Sequence, residues 1–412
     1  MALPPLLASL TRHRLIVALM MATTAFSCAV VANIAVMFVH RAELLRAPSG
    51  VRESEVVVLD SSRVEVNRGR SSVPDETSGA NYDADIVALR GIGGVDAAAA
   101  LNGVPFGGGA AIEVGAEPAG RGSGGTVQVT AYAGGKGALN ALGLRLSEGR
   151  DFLSSEYVRS NHLANLDKVQ AAVMSRQLAN RLFHSGEASG RLFFVSGHPV
   201  RVVGIVDHLM GMAPQVGAPD NEFALLLPLE PDDDSVTFAV RTSGGRQYAV
   251  AKEASAALLA RDPLRVVENE KTFADLRAEY FQREHSMISM LLAAGLAMLI
   301  VTAGGIVGLT SFWVQQRTRA IGIRRALGAQ RRHIFAYFVV ENFLIVTGGV
   351  LIGGVLAYAL NAVFIDYFEV PVIPFGYIVT GAVALWVTGQ IAGAGPAWRA
   401  AAVSPDVATR SG

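Results

Sequence analysis

From Leu15 to Val39 the chain carries no charged residue. A helix crosses the hydrocarbon core of a bilayer with about 20 such residues, and a backbone inside lipid must satisfy its own hydrogen bonds, which leaves helix as the only spanning form for a single segment. Apolar stretches of similar length return at 286–314, 334–365 and 375–397, with Glu341 the one charge in all three. The stretch from 40 to 285 has no such run, and it is longer than the roughly 100–150 residues of a common domain. The expected architecture is therefore a four-span α-helical membrane protein with a large α+β extracytoplasmic domain inserted between spans one and two.

Composition agrees: 51% of residues are hydrophobic and 17% charged, with a mean hydropathy of +0.37. Lys and Arg number 35 against 35 Asp and Glu, so the net charge is zero and no general attraction to nucleic acid is expected. Cys28 is the sole cysteine, which excludes an intrachain disulfide and a Cys-rich metal site. Arg12 and Arg14 ahead of the first run also suit a secretory signal, whose apolar core is about 7–15 residues. This run is longer, lacks a small-x-small exit, and has Phe26 where a lipoprotein cleavage site takes a small residue. A retained span is expected, with 1–14 on its near side.

Charge is segregated rather than absent. Between spans two and three, 315–333 holds Arg317, Arg319, Arg324, Arg325, Arg331 and Arg332 with no acid. Arginine in short loops beside spans stays in the cytoplasm, so this loop, the N-terminus and the 398–412 tail are expected inside and the insert outside. The segment also suits docking. Residues 318–327 favour helix, Ile323 and Leu327 share a face four apart, and Gly328 offers a stop before a new helix near Gln330. On charge alone the competing reading is a topology marker that touches anionic lipid headgroups.

The wording of the segment goes further. Ile321, Gly322, Ile323, Arg324, Arg325, Ala326, Leu327, Gly328 and Ala329 spell IGIRRALGA, followed by an arginine pair and an apolar helix with an early Glu341. This resembles the loop between the second and third spans of MacB/FtsX/LolC-type ABC permeases. The resemblance implies a short coupling helix that seats on an ATPase subunit; Ala320 stands where relatives carry an acid. In the insert, Ala141–Phe152, Ala171–Phe183 and Gly190–His208 read as a turn, a strand and helix, and a hairpin. They follow the order of the MacB-type periplasmic core domain, and Glu222–Leu229 and Val236–Thr242 add strands where that family has them. The tail Pro396–Arg410 resembles the family's closing motif, with Thr409 in place of its leucine. The likeness covers about two-thirds of the chain and is weakest from Arg46 to Gly137.

Other local readings follow from residue type. Glu55–Val66 alternates as a strand, whereas glycine is so frequent from Gly91 to Gly137 that long mobile loops or turns are expected, broken by a strand at Thr126–Tyr132. Thr272 and Asp275 form a capping box, and Phe273, Leu276, Tyr280 and Phe281 share the face of the helix that follows. No Gly or Pro intervenes before Gly295, so this stalk helix, 272–285, is expected to run unbroken into span two. The competing arrangement is a separate amphipathic helix with a hinge near His285. Glu341 lies inside span three, where a carboxylate faces a partner or the bundle interior; pairing with an arginine or another polar group near the cytoplasmic end is favoured over a proton relay. The external turn 366–374 has two acids and no base. Spans two, three and four each hold a G-x-x-x-G pair, Gly304/Gly308, Gly349/Gly353 and Gly389/Gly393, which lets helices approach closely.

Enzyme chemistry finds no footing. There is no G-x-x-x-x-G-K-[ST], no G-x-S-x-G and no H-E-x-x-H. GRGSGG at Gly120–Gly125 matches a dinucleotide fingerprint in letters but precedes a strand instead of following one. His184, His198 and His208 lack metal-ligand spacing, and Asp232–Asp234 read as a solvated turn. The resemblance thus implies a transporter subunit with no nucleotide site or metal of its own, ATP and Mg bound by a separate ABC ATPase, and a second permease chain, alike or related. A periplasmic adaptor and an outer-membrane duct are further partners within the family, and a bacterial inner membrane is the expected location. Export of peptide- or antibiotic-like substrates is the first reading. Alternatives are lipoprotein release or cell-wall-hydrolase control of the LolC or FtsX kind, a four-span receptor or scaffold without an ATPase, and a secondary transporter, for which only Glu341 offers an intramembrane charge.

Overall fold

The computed structural model describes residues 14–63, 77–117, 125–160, 163, 165–183, 188–232, 235–368 and 375–402. Residues 1–13, most of the GRGSGG segment, His184, Asp233 and Asp234, the turn at 369–374 and the tail beyond 402 lie outside them. The chain forms two units, Leu44–Arg283 and a helical unit made of Met1–Glu43 with Glu284–Gly412.

Helix α1 (Arg14–Arg46) opens the helical unit. The insert then runs β1 (Val56–Arg63), α2 (Thr77–Arg90), β2 (Val95–Leu101), β3 (Ala110–Gly115), β4 (Val127–Ala133), α3 (Ala138–Leu142), β5 (Leu146–Gly149), β6 (Val158–Ser160), β7 (Ala171–Ser175) and α4 (Arg176–Phe183). It continues with β8 (Leu192–Val195), β9 (His198–Val206), β10 (Ala224–Leu227), β11 (Leu229–Pro231), β12 (Ser235–Thr242), α5 (Gln247–Arg261), β13 (Arg265–Thr272) and α6 (Phe273–Tyr280). Among the described residues three helices follow: α7 (Gln282–Ala326), α8 (Arg331–Phe368) and α9 (Phe375–Ala402).

The insert holds two main sheets. One has the order β13-β1-β12-β2, antiparallel throughout. In the other, β9-β7-β10-β4-β3-β8 closes into a ring because β8 also pairs with β9, and β5 lies outside on β9. Side chains alternate across a strand, and β1 shows the result: Val57 and Leu59 join Tyr82, Phe238 and Leu258 under α2 and α5. Val56 and Val58 turn the other way, into a core shared with Val173, Val203 and Leu226 of the ring. The opposite sides of those ring strands, Met174, Val202 and Leu225, fill the ring with Phe193. Both sheets therefore need continuous apolar strands, which is why Val56–Leu59 and Ala224–Leu227 are buried at every position.

Two expectations need correction. The glycine-rich stretch is ordered sheet at β2 and β3 rather than long loop. Ala97–Ala100 are all buried in β2, where small side chains let α2 and α3 pack closely. Gly103 is needed for close approach, since a Cβ there would lie 2.6 Å from the Gly108 carbonyl. The stalk is also interrupted: α6 ends at Tyr280 and α7 begins at Gln282. Thr272 caps α6 as the sequence indicates, its Oγ1 accepting from the Asp275 amide at 3.1 Å. At Phe281 the chain leaves helical geometry (φ −87°, ψ 6°) and the ring enters the insert core, 1% exposed and 5.3 Å from Phe106. Burying that ring sets the break, close to the hinge position weighed as the alternative.

Among the described residues, four helices of the helical unit are long and apolar enough to cross a membrane. Helix α9 continues through Pro396 to Ala402. Ser27 and Thr302 share a 2.6 Å hydrogen bond between α1 and α7, and Cys28 is buried where α1 meets α8.

Candidate coupling site

Helix α7 does not stop at the end of its apolar run. It carries the basic segment as its own last turns to Ala326, so the 315–326 part of the expected loop is an extension of span two rather than a detached short helix. The stop is at Gly328, which takes φ +94°; its amide donates to the Arg325 carbonyl and the Ala329 amide to the Arg324 carbonyl, each at 3.1 Å. A left-handed residue at this position satisfies carbonyls that the helix end leaves orphaned. Three residues later α8 starts at Arg331.

The basic turns of α7 have two faces. Ile321 packs with Val314, Ile334, Phe338, Ala397 and Ala400, and Gly322 is likewise buried. These two support the elbow from inside. On the other side Ile323 is 53% and Leu327 83% exposed, with Arg319, Arg324, Ala326 and Gly328 exposed around them and Arg325 and Ala329 half-buried. Two large apolar side chains thus stand in a basic rim.

Arg317 does the opposite of its neighbours. It turns inward, with Nη1 3.2 and 3.4 Å from the Glu341 carboxylate oxygens, and lies over Trp313 at 4.7 Å. The Glu341 side chain is only 2% exposed. Of the partners expected from sequence, an arginine or another polar group, the arginine is present, and the pair joins α7 to α8. Beside it, Asn342 donates to the Gly389 carbonyl at 2.8 Å, joining α8 to α9. Sequence reasoning missed Asn342; its signal was a second polar residue inside a span. Arg324 lies over the Tyr337 ring at 5.7 Å, another link across the elbow.

The G-x-x-x-G pairs divide. A Cβ on Gly353 would fall 2.6 Å from the Ala25 carbonyl, and one on Gly349 3.0 Å from that of Met21, so α8 and α1 are in backbone contact. Gly389 abuts Val346, and a Cβ on Gly393 would fall 2.6 Å from Asn342. Gly304 and Gly308 meet nothing within 4 Å.

Four helices long and apolar enough to span, an α+β insert after the first, and a second that ends in a basic turn define a class of multi-span membrane protein with a large inserted domain. The MacB-like periplasmic core domain family matches residues 18–258 and the FtsX-like permease C-terminal family residues 292–405. The first match covers more than half of the chain, which therefore belongs to the MacB/FtsX-type ABC permeases. The macrolide export ATP-binding/permease protein MacB of Chromobacterium violaceum is 28% identical over 239 residues, 56% of this chain and 35% of that protein. The uncharacterized ABC transporter permease YknZ of Bacillus subtilis is 23% identical over 284 residues, 66% of this chain and 68% of that one. The chain thus spans about a third of the length of the first relative and about two-thirds of the second. The solved extracellular domain of the noncanonic ABC-type transporter YknZ from Gram-positive bacteria aligns with 52% of this chain and 100% of its own length, at 16% identity and a TM-score of 0.32. That overlap is too loose to carry anything further.

Proposed function

We propose that this chain is the membrane subunit of an ABC exporter driven by a separate ATPase, which binds ATP and Mg and docks on the basic elbow from the cytoplasm. The observation that carries this is the exposed Ile323 and Leu327 within an arginine rim, held at the end of a spanning helix. Exposed apolar side chains ringed by charge suit a partner with an apolar pocket and an acidic border. Because the docking turns are part of α7, a displacement of the elbow is a displacement of span two. The arginine excess supports an elbow inside the cell, with both termini on the same side and the insert outside. A second permease chain, identical or related, completes the assembly. Relatives whose names include macrolide export and pyoverdine export support small-molecule or peptide-like cargo moved outward.

The test is co-purification. Wild type should bring down a Walker-type ATPase, and Arg324→Glu with Arg325→Glu should abolish that while insertion and yield stay unchanged. An ATPase that remains bound to the double variant would refute docking at the elbow.

A further inference from the structure

The chain passes between its two units only twice, at 43/44 and at 283/284. Any motion that reaches the insert through the chain enters by those two segments. One side chain holds both. Arg277, on α6 just ahead of the second crossing, donates from Nη2 to the carbonyls of Leu45 at 2.8 Å and Ala47 at 2.7 Å, just past the first crossing. Those carbonyls are at the C-terminal end of α1, where a helix leaves acceptors unpaired and favours a cation.

Nη1 of the same guanidinium pairs with Glu53, which also accepts from Ser49 Oγ at 2.7 Å. The planar group lies over Phe106 and Phe281 at 5.6 and 5.8 Å, and Phe281 is the residue that breaks the stalk. Three donated bonds in fixed directions, between two rings, need the arginine fork; a lysine ammonium reproduces the charge but not the geometry. The helical unit repeats the arrangement on its own side, where Arg41 pairs with Glu284 between α1 and α7.

We propose that Arg277 is a positioning residue that straps the two crossing segments of the insert together, so that they move as one body. Its use in transport rests on the docking reading above, in which motion of α7 originates at the elbow. With the strap closed, displacement of α7 is delivered to the insert through α1 as well, and the break at Phe281 does not dissipate it.

Amide hydrogen exchange on the full-length chain in lipid nanodiscs tests this without a substrate. In the resting protein Arg277→Ala should raise exchange across 44–53 by about tenfold, a local opening, while β1 and β12 keep their protection. Arg277→Lys should fall between. No change at 44–53, or an equal rise throughout the insert, would overturn the strap. With the co-purified ATPase trapped by ATP, Mg and vanadate, wild type should change exchange at 44–53 and 273–283 together, and Arg277→Ala at 273–283 alone. Joint response in the variant would also overturn it, since a residue that only supports the fold leaves the response shared. A wild type that brings down no ATPase refutes the docking reading, and the resting measurement still decides the strap.

Discussion

Arg317 and Arg324 are two turns apart on the same helix and have opposite environments. Arg317 is folded against a buried carboxylate and an indole, and Arg324 stands at an exposed edge with its guanidinium over Tyr337. Taking a charge out of water is costly and is repaid only by a partner in good geometry. The inward arginine therefore fixes how α7 sits on α8, whereas Arg319, Arg324, Arg331 and Arg332 are exposed. A run of six arginines is thus two devices, one internal and one external.

The sharpest way to break this contrast is to remove the buried partner. Glu341→Ala removes the carboxylate that Arg317 pairs with and should cost up to about 3–5 kcal/mol, read as loss of folded protein in detergent unfolding. Arg324→Glu with Arg325→Glu gives up the contact of Arg324 with Tyr337 and should lower the unfolding midpoint far less than Glu341→Ala. Its effect is on partner affinity, at about 2–5 kcal/mol if the interfacial charges are desolvated, measured as ATPase retained on the purified chain. If both variants lost stability alike, the division between inward and outward arginines would fail.

The glycine pairs sharpen the same distinction at smaller scale. Gly353→Ala drives a methyl into the α1 backbone at Ala25 and should cost about 1–3 kcal/mol. Gly304→Ala meets nothing and should be neutral or stabilise the helix by up to about 1 kcal/mol. The smallest effect lies in the insert. Arg150 donates to Glu156 at 2.6 and 2.8 Å, and this bond, with the Leu153 amide, holds the Glu156 carboxyl below its usual value of 4.5. A depressed carboxylate contributes its full stability above the unfolded pKa and loses it as pH falls through the lower folded one. Glu156→Gln should therefore lower the insert's melting temperature slightly at pH 7 and converge with wild type in acid, a small change because the pair is exposed.

What could be read from the sequence was local. The apolar runs, the Gly328 stop and the Thr272 cap each depend on a few neighbouring residues, and a short window reveals them. What could not be read depended on partners distant in the chain. Four alanines in β2 look like loop or helix until two helices are packed over them. Phe281 looks like one more residue on a helical face until the insert core claims its ring. Gly304/Gly308 and Gly349/Gly353 have the same spacing, and only the position of α1 separates them. At the elbow, Ile321 and Ile323 are equivalent in composition; the side of the helix that meets α8 and α9 decides which one a partner can reach.

The central claim is that the elbow's outer face is presented to a cytosolic ATPase. Cys28 is the sole cysteine and is buried, so Leu327→Cys in a Cys28→Ser background gives one reporter at the most exposed apolar position of the elbow. A membrane-impermeant maleimide should leave it unlabelled in intact cells, label it once the membrane is opened, and be blocked again when the ATPase is bound. Labelling in intact cells, or labelling undiminished by the bound ATPase, would contradict the account.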